Sequence, residues 1–448
     1  MRFGTDGVRG VANAELTPEF TLALGRAAAR VLGGERFLIG RDTRRSGTLL
    51  EAALAAGLAA EGVDVDLLGV MPTPAVACLS QADGVPAAVI SASHNSFEDN
   101  GIKLFDAGGA KLADATQAEI EAVLGELTGS ADPTSFVSAP LVGAAVGSIV
   151  EVDGRPVERY ESAVLSVLDR RTLGSLRVVL DVANGAATSI APDVFARAGA
   201  AVEVIHGEPD GTNINVGCGS TYPEDLCAAV VASGADLGFA FDGDADRVLA
   251  VDGAGRLIDG DQLIAIAAID LRDRGLLHHD TVVVTVMSNL GFRRGMAAAG
   301  IEVVETTVGD RYVLEALDAG GYSLGGEQSG HLIFRDRATT GDGLLSALMI
   351  ADVVSRTGRG LAHLADAAMT RLPQVLRNVR LADRPDDLVA RLDVPIRAAQ
   401  AELGDAGRIL VRFSGTEPLV RVMVEAADQP LAESIAERLA TVVGELGA

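Results

Sequence analysis

Short apolar runs that turn abruptly polar recur along this sequence, and they constrain its fold more than any other feature. "AAVISASHN", "VVLDVANG" and "VVVTVMSN" each run apolar and end in polar residues at an asparagine. Runs of this kind read as short buried strands. Helical stretches separate them. "LTPEFTLALGRAAARVLGG" has Thr17 as N-cap, Pro18 in the first turn and glycines as a stop signal. "RFLIGRD" then reads as a strand and "SGTLLEAALAAGLAAEG" as a second helix. The alternation continues through "AVEVIHG", "ADLGFAFDGDADR", "IEVVETTVG" and "GYSLGGEQSGH". It predicts mixed α/β units with sheets covered on both faces, and the three similar strand ends point to one module used three times. Past about residue 370 the pattern changes to "QVLRNVRL", a helix in "VPIRAAQAELG", "RILVRFSGTEPLVRVMVEAAD" and a last amphipathic helix, which predicts a smaller α+β domain.

A chain of 448 residues exceeds one ordinary core. The expected domains are 1–145, 155–252, 253–366 and 370–448. With 48% apolar residues but only 4% aromatic and no Trp, the cores must be packed by Ala, Val and Leu. The formal charge of −25 argues against nucleic acid or an anionic membrane as the main partner, so an anionic substrate must be held by local basic groups. Cys78, Cys218 and Cys227 are few and widely spaced, so neither a disulfide framework nor a zinc site is expected. The start "MRFGTDGVRG" has no apolar signal region, and no run approaches about eighteen apolar residues; the expected location is cytoplasmic.

Four loops carry the chemistry. "ISASHNSFEDNGIK" delivers Ser93 at a strand end, followed by acids, glycine and Lys103. A nucleophile there needs a proton acceptor and an anion site nearby. Lysine and arginine together number 37, yet only Lys103 and Lys111 are lysines. Lysine can lose its proton where guanidinium effectively never does, so Lys103 is a candidate proton carrier beside Ser93, with Arg9 available to manage charge. "FDGDADR" sets Asp242, Asp244 and Asp246 beside Arg247. Three carboxylates so close repel unless a cation or several donors compensate, and hard oxygen ligands favour Mg²⁺ or Ca²⁺. An EF-hand fails, because its twelfth position would be Gly253. "GGEQSGH" offers Glu327 and Ser329 to vicinal hydroxyls and His331 as a donor near a reacting group. "RFSGTEPLVR" runs from Arg412 to Arg421, with Ser414, Gly415 and Thr416 as a phosphate nest and Arg421 as its charge partner.

As a set, these motifs resemble the α-D-phosphohexomutase superfamily. The likeness runs from "FGTDGVRG" through "GRDTRRSG", "SASHN", "DGDADR", "GGEQSGH" and "TTGDG" to "RFSGTEP", essentially the whole chain. Where that family usually has proline after "SASHN", this chain has Ser96, which leaves the loop less stiff. The resemblance implies four domains around a central cleft, the first three sharing an α/β module. It implies that Ser93 is a phosphoserine that donates and recovers a phosphoryl group, with Mg²⁺ held by Asp242, Asp244, Asp246 and a phosphate oxygen on Ser93. It also implies that the Glu327, Ser329 and His331 loop holds the sugar, and that the 414–416 loop with Arg421 holds the phosphate that is not reacting. The implied reaction takes glucosamine 6-phosphate to glucosamine 1-phosphate through a 1,6-bisphosphate, feeding UDP-N-acetylglucosamine and cell-wall synthesis. The small-molecule partner is then an amino-sugar phosphate, and a homodimer is one open oligomeric state. Alternatives are a phosphomannomutase or phosphoglucomutase, or a metal- and sugar-phosphate-binding protein with no turnover.

Overall fold

Three sheets repeat one arrangement. In the first, Arg36–Arg41 (β2) lies between Asp64–Val70 (β3) and Ala87–Ile90 (β4), parallel to both, and Asp99–Phe105 (β5) returns antiparallel beside β4. Val8–Val11 (β1) and Ile149–Glu151 (β6) complete the two edges. In the second sheet Arg177–Asp181 (β7) lies parallel between Ala201–Ile205 (β8) and Leu237–Phe241 (β9), and Val248–Asp252 (β10) returns antiparallel, followed by Leu257–Ile258 (β11). The third repeats the order with Thr281–Thr285 (β12), Glu302–Thr306 (β13), Leu324–Gly326 (β14) and Leu332–Phe334 (β15). This computed structural model describes residues 3–4, 7–129, 141–381, 388–413 and 419–446.

The local causes are those the sequence offers. Thr17 caps the helix Pro18–Leu32 by accepting from the Phe20 N–H at 3.3 Å, and Gly33 ends it at φ 65°. Asp259 and Gln262 form a capping box on the helix Gly260–Asp273. Cores are packed by small aliphatic residues, such as Ala23, Leu24, Ala27, Leu50, Leu54 and Ile39 of the first module, all buried. The three strand ends that look alike in sequence are not equivalent in space. "AAVI" is β4, the third strand of its module, whereas "VVLD" and "VVVT" are the first strands β7 and β12. One module is indeed used three times, but the matching turns are those after β4, β9 and β14.

By internal packing the chain divides into Met1–Val286 with Ile301–Ala365, and Met287–Gly300 with Asp366–Ala448. The second unit carries the antiparallel sheet Gln374–Arg380 (β16), Leu419–Glu425 (β18), Arg408–Phe413 (β17), in that order. Its fully buried Glu425 accepts from Arg408 Nε at 3.0 Å and Nη2 at 3.1 Å, and from the Leu290 N–H at 3.1 Å. Arg408 also donates to the Ser288 carbonyl at 2.7 Å. Glu425→Ala would strand that guanidinium without its carboxylate, and losing one partner of a buried pair costs about 3–5 kcal/mol. Urea unfolding should show the loss in the transition of this unit; an unshifted midpoint would contradict it.

Candidate active site

Each module ends its third strand in a hairpin turn, and three of the four motif loops are those turns. The first follows β4. Ser93 sits at φ 53°, a left-handed conformation that costs a non-glycine residue about 1–2 kcal/mol, so its loop must be held from outside. Ser91 Oγ accepts from the Ser93 N–H at 2.9 Å and donates to Asp42 at 2.6 Å. Asp42 pairs at 2.8 Å with Arg44, whose side chain is wholly buried. The Arg44 fork donates to the carbonyls of Ser93 and Asn95, both at 2.9 Å, of Asp99 at 3.1 Å, and of Ser96. Asn215 Nδ2 reaches the Ser93 carbonyl at 2.9 Å and that of Asn95 at 3.1 Å. Arg44 and Asn215 thus supply the restraint that proline would add at Ser96.

The second turn, between β9 and β10, carries Asp242, Asp244 and Asp246, all buried. Ser93 Oγ donates to Asp242 Oδ2 at 2.6 Å. Lys103 on β5 is also buried, with Nζ 2.8 Å from Asp244 Oδ2 and 3.1 Å from Asp246 Oδ2. Thr73 donates to Asp244 Oδ2 at 2.6 Å. Gly243 is required at this approach, because a Cβ there would lie 2.6 Å from the Ser93 carbonyl oxygen. Burial, with Asp246 and Asp244 close by, pushes the Asp242 carboxyl well above the usual range. Burial acts the same way on Asp246, but Lys103, His331 and Arg247 outweigh it and hold that carboxyl well below. Asp244 Oδ1 and Asp246 Oδ1 are buried and accept no hydrogen bond. Carboxylate oxygens of all three residues lie within 4.8 Å of one another. Orphaned hard oxygens around one point fit a divalent cation.

The third turn joins β14 to β15. Glu327, half-buried, accepts from the Gly309 N–H at 3.1 Å, and Ser329 is exposed. Buried His331 has Nδ1 at 3.7 Å from Asp246 Oδ1 and Nε2 at 3.5 Å from Asp310 Oδ2. Burial opposes its imidazolium, but Asp246 and Asp310 together raise its pKa above the ordinary value. This turn is tied to the aspartate turn through the Val248 N–H, which donates to the Gly330 carbonyl at 2.9 Å. Arg247 donates its backbone N–H to Asp242 at 3.1 Å, and its guanidinium lies 3.8 Å from Asp246. Arg9 on β1 stands opposite Gly101 of β5. His94, which carried no assignment from sequence, has Nδ1 at 3.3 Å from Ser93 Oγ. Burial, then Arg247 and Arg9, lower its pKa to about 4, so the ring is neutral near pH 7.

In the second unit, Arg412 and Arg421 face each other across β17 and β18. Ser414, Gly415 and Thr416 lie outside the described residues. Sequence reasoning brought Ser93, Lys103, the three aspartates and His331 to one place. It missed Asn215 and Thr73 entirely, and quoted Asp42, Arg44 and Ser91 only as parts of motifs.

A serine hydroxyl held against carboxylates that can take a divalent cation suits phosphoryl transfer, where positioning and charge neutralisation do most of the work. The class defined is an α/β phosphotransfer enzyme. Family models for phosphoglucomutase/phosphomannomutase match the chain over residues 1–129 (alpha/beta/alpha domain I), 158–255 (domain II), 259–372 (domain III) and 376–442 (the C-terminal domain). The phosphoglucosamine mutase of Streptomyces griseus is 54% identical over 451 aligned residues, covering 98% of each chain. That of Pelotomaculum thermopropionicum is 52% identical, covering 100% of this chain and 99% of its own. A crystal structure of a family protein from Burkholderia thailandensis superimposes with a TM-score of 0.79 at 24% identity, covering 98% of this chain and 97% of its own, a likeness of fold. The chain belongs to the phosphoglucomutase/phosphomannomutase family. Among the described residues, no helix is long and apolar enough to cross a membrane.

Arg44→Lys keeps a charge beside Asp42 but loses the fork that grips four loop carbonyls. A misplacement of about 1 Å can cost roughly 10²-fold in rate, so turnover should fall by about that factor while circular dichroism stays native. Undiminished turnover would show that the Ser93 loop does not need this grip.

Proposed function

We propose that the chain interconverts glucosamine 6-phosphate and glucosamine 1-phosphate, using Ser93 as phosphoryl carrier. The observation that carries this reading is the 2.6 Å bond from Ser93 Oγ to Asp242 within the buried aspartate turn. The amino-sugar substrate is supported by relatives named phosphoglucosamine mutase at 52–54% identity along nearly the whole chain.

The chemistry balances without oxidant or reductant. In the first half, the O1 hydroxyl oxygen of the 6-phosphate bonds to the phosphorus on Ser93 as the bond from phosphorus to Oγ breaks, giving the 1,6-bisphosphate, and the proton leaving O1 ends on Ser93 Oγ. The bisphosphate turns over, and Ser93 Oγ takes the 6-phosphoryl group while O6 regains a proton. Asp242, Asp244 and Asp246 with a phosphate oxygen on Ser93 would hold Mg²⁺, which when bound supplies positive charge against the moving group. Lys103 is the proton carrier in this reading. Its Nζ lies 2.8 Å from Asp244 and 3.1 Å from Asp246, which places an amine able to give a proton to a departing oxygen beside the serine turn. Neutral His94 lies 3.3 Å from the same serine hydroxyl, Arg9 and Arg247 act on that ring, and His331 offers a donor from the third turn. Glu327 and Ser329 would bind sugar hydroxyls. Arg412 and Arg421, with Ser414, Gly415 and Thr416, would bind the non-reacting phosphate. Product made in the cytoplasm would supply UDP-N-acetylglucosamine for cell-wall synthesis.

A coupled assay with glucosamine, glucose and mannose 6-phosphates tests the substrate; turnover highest on either neutral sugar would overturn the amino-sugar assignment. Lys103→Arg tests the proton role. With Ser93 confirmed phosphorylated by mass, its rate should fall about 10²–10⁴-fold. A rate within a few-fold of the parent would leave Lys103 as a charge partner.

A further inference from the structure

We propose that Asp181, His206 and Cys218 form a second metal site, chemically unlike the aspartate turn and suited to a borderline-soft divalent ion such as Zn²⁺. Cysteine count and spacing give no hint of it; the fold assembles it. Asp181 ends β7, and β8, its parallel neighbour, ends at Ile205 directly opposite Asp181. The carboxylate and the imidazole of His206 therefore rise from adjacent strand ends. Cys218, fully buried, enters from the loop that follows. One ligand atom of each residue lies within 4.8 Å of the other two.

The contacts are those of ligands converging on a shared point. His206 Nδ1 is 3.1 Å from Asp181 Oδ2, yet this buried nitrogen makes no hydrogen bond. Tetrahedral bonds of about 2.0–2.3 Å set ligand atoms roughly 3.3–3.8 Å apart, inside the 4.8 Å that bounds the separations of these three. The other ring nitrogen, Nε2, lies 3.3 Å from Asp225 Oδ2. A carboxylate on the far nitrogen is the usual device for orienting a metal-binding histidine. Asp181 is itself oriented, accepting from the Ala183 N–H at 3.0 Å and the Gly219 N–H at 2.9 Å.

Thiol, imidazole and a single carboxylate select zinc-like ions over Mg²⁺ or Ca²⁺. A cysteine nucleophile is the competing use of such a trio. Cys218 is fully buried, whereas reactive cysteines sit partly exposed, which argues against that use. The position of the site suggests its role. Asn215, earlier in the same loop as Cys218, holds the Ser93 and Asn95 carbonyls. Asn184, whose Nδ2 is 4.0 Å from Cys218 Sγ, accepts on its carbonyl from Thr43 Oγ1 at 2.5 Å. An ion bound here would clamp the second module's loops that brace the phosphoryl-carrier loop of the first.

The test is Co²⁺ titration of chelator-stripped full-length protein, read by absorption spectroscopy. The expected result is a thiolate-to-cobalt charge-transfer band in the near ultraviolet with strong tetrahedral ligand-field bands, abolished by competing Zn²⁺. Cys218→Ser should remove the charge-transfer band, and His206→Gln should remove or shift it. The band should persist in Asp244→Asn and in the Cys78→Ser, Cys227→Ser double variant. No charge-transfer band in the parent protein would overturn the proposal, as would a band that survives Cys218→Ser.

Discussion

Three carboxylates buried within 4.8 Å of one another cannot all stay charged without compensation, and most of the site answers that constraint. Lys103 neutralises two of them from β5, and Thr73 and Ser93 donate hydroxyl hydrogens. The remaining negative charge is divided unequally, with Asp242 pushed toward the acid form and Asp246 held ionised. A cluster under such strain is poised for a cation. Ser93, bonded to the member with the raised pKa, is where a phosphate would join it. His331 reaches the cluster through Asp246, its Nδ1 3.7 Å from Oδ1.

The fold makes this meeting possible by repeating one device. Each module returns its third strand through a hairpin, and the hairpins after β4, β9 and β14 carry the serine, the aspartates and the Glu327–His331 loop. One position in a repeated unit thus takes three different chemical loads. Gly243 lets the first two turns come close enough for the serine to reach a carboxylate. The Val248 to Gly330 bond ties the second turn to the third.

Strands, helix caps and the motif loops were legible because their signals are local: an apolar run, a Thr-Pro start, alternating acids around glycine. The register of the repeat was not. An apolar strand that ends polar describes the first strand of a parallel unit as well as the third, so "VVLDVANG" and "AAVISASHN" matched in pattern but not in place. Arg44 and Asn215 were hidden for another reason. Their partners at Ser93 lie 49 and 122 positions away, and nothing near either residue marks a carbonyl to be gripped. The Asp181, His206 and Cys218 cluster is of the same kind, created by neighbouring strand ends.

The central claim is that Ser93 gives its phosphoryl group to the substrate and later recovers one. Enzyme phosphorylated on Ser93, held in excess over glucosamine 6-phosphate and quenched during the first turnover, tests it directly. Intact mass should show loss of one phosphoryl group for each 1,6-bisphosphate formed, with the loss mapped to Ser93. Conversion of the substrate while every Ser93 keeps its original phosphate would contradict the account.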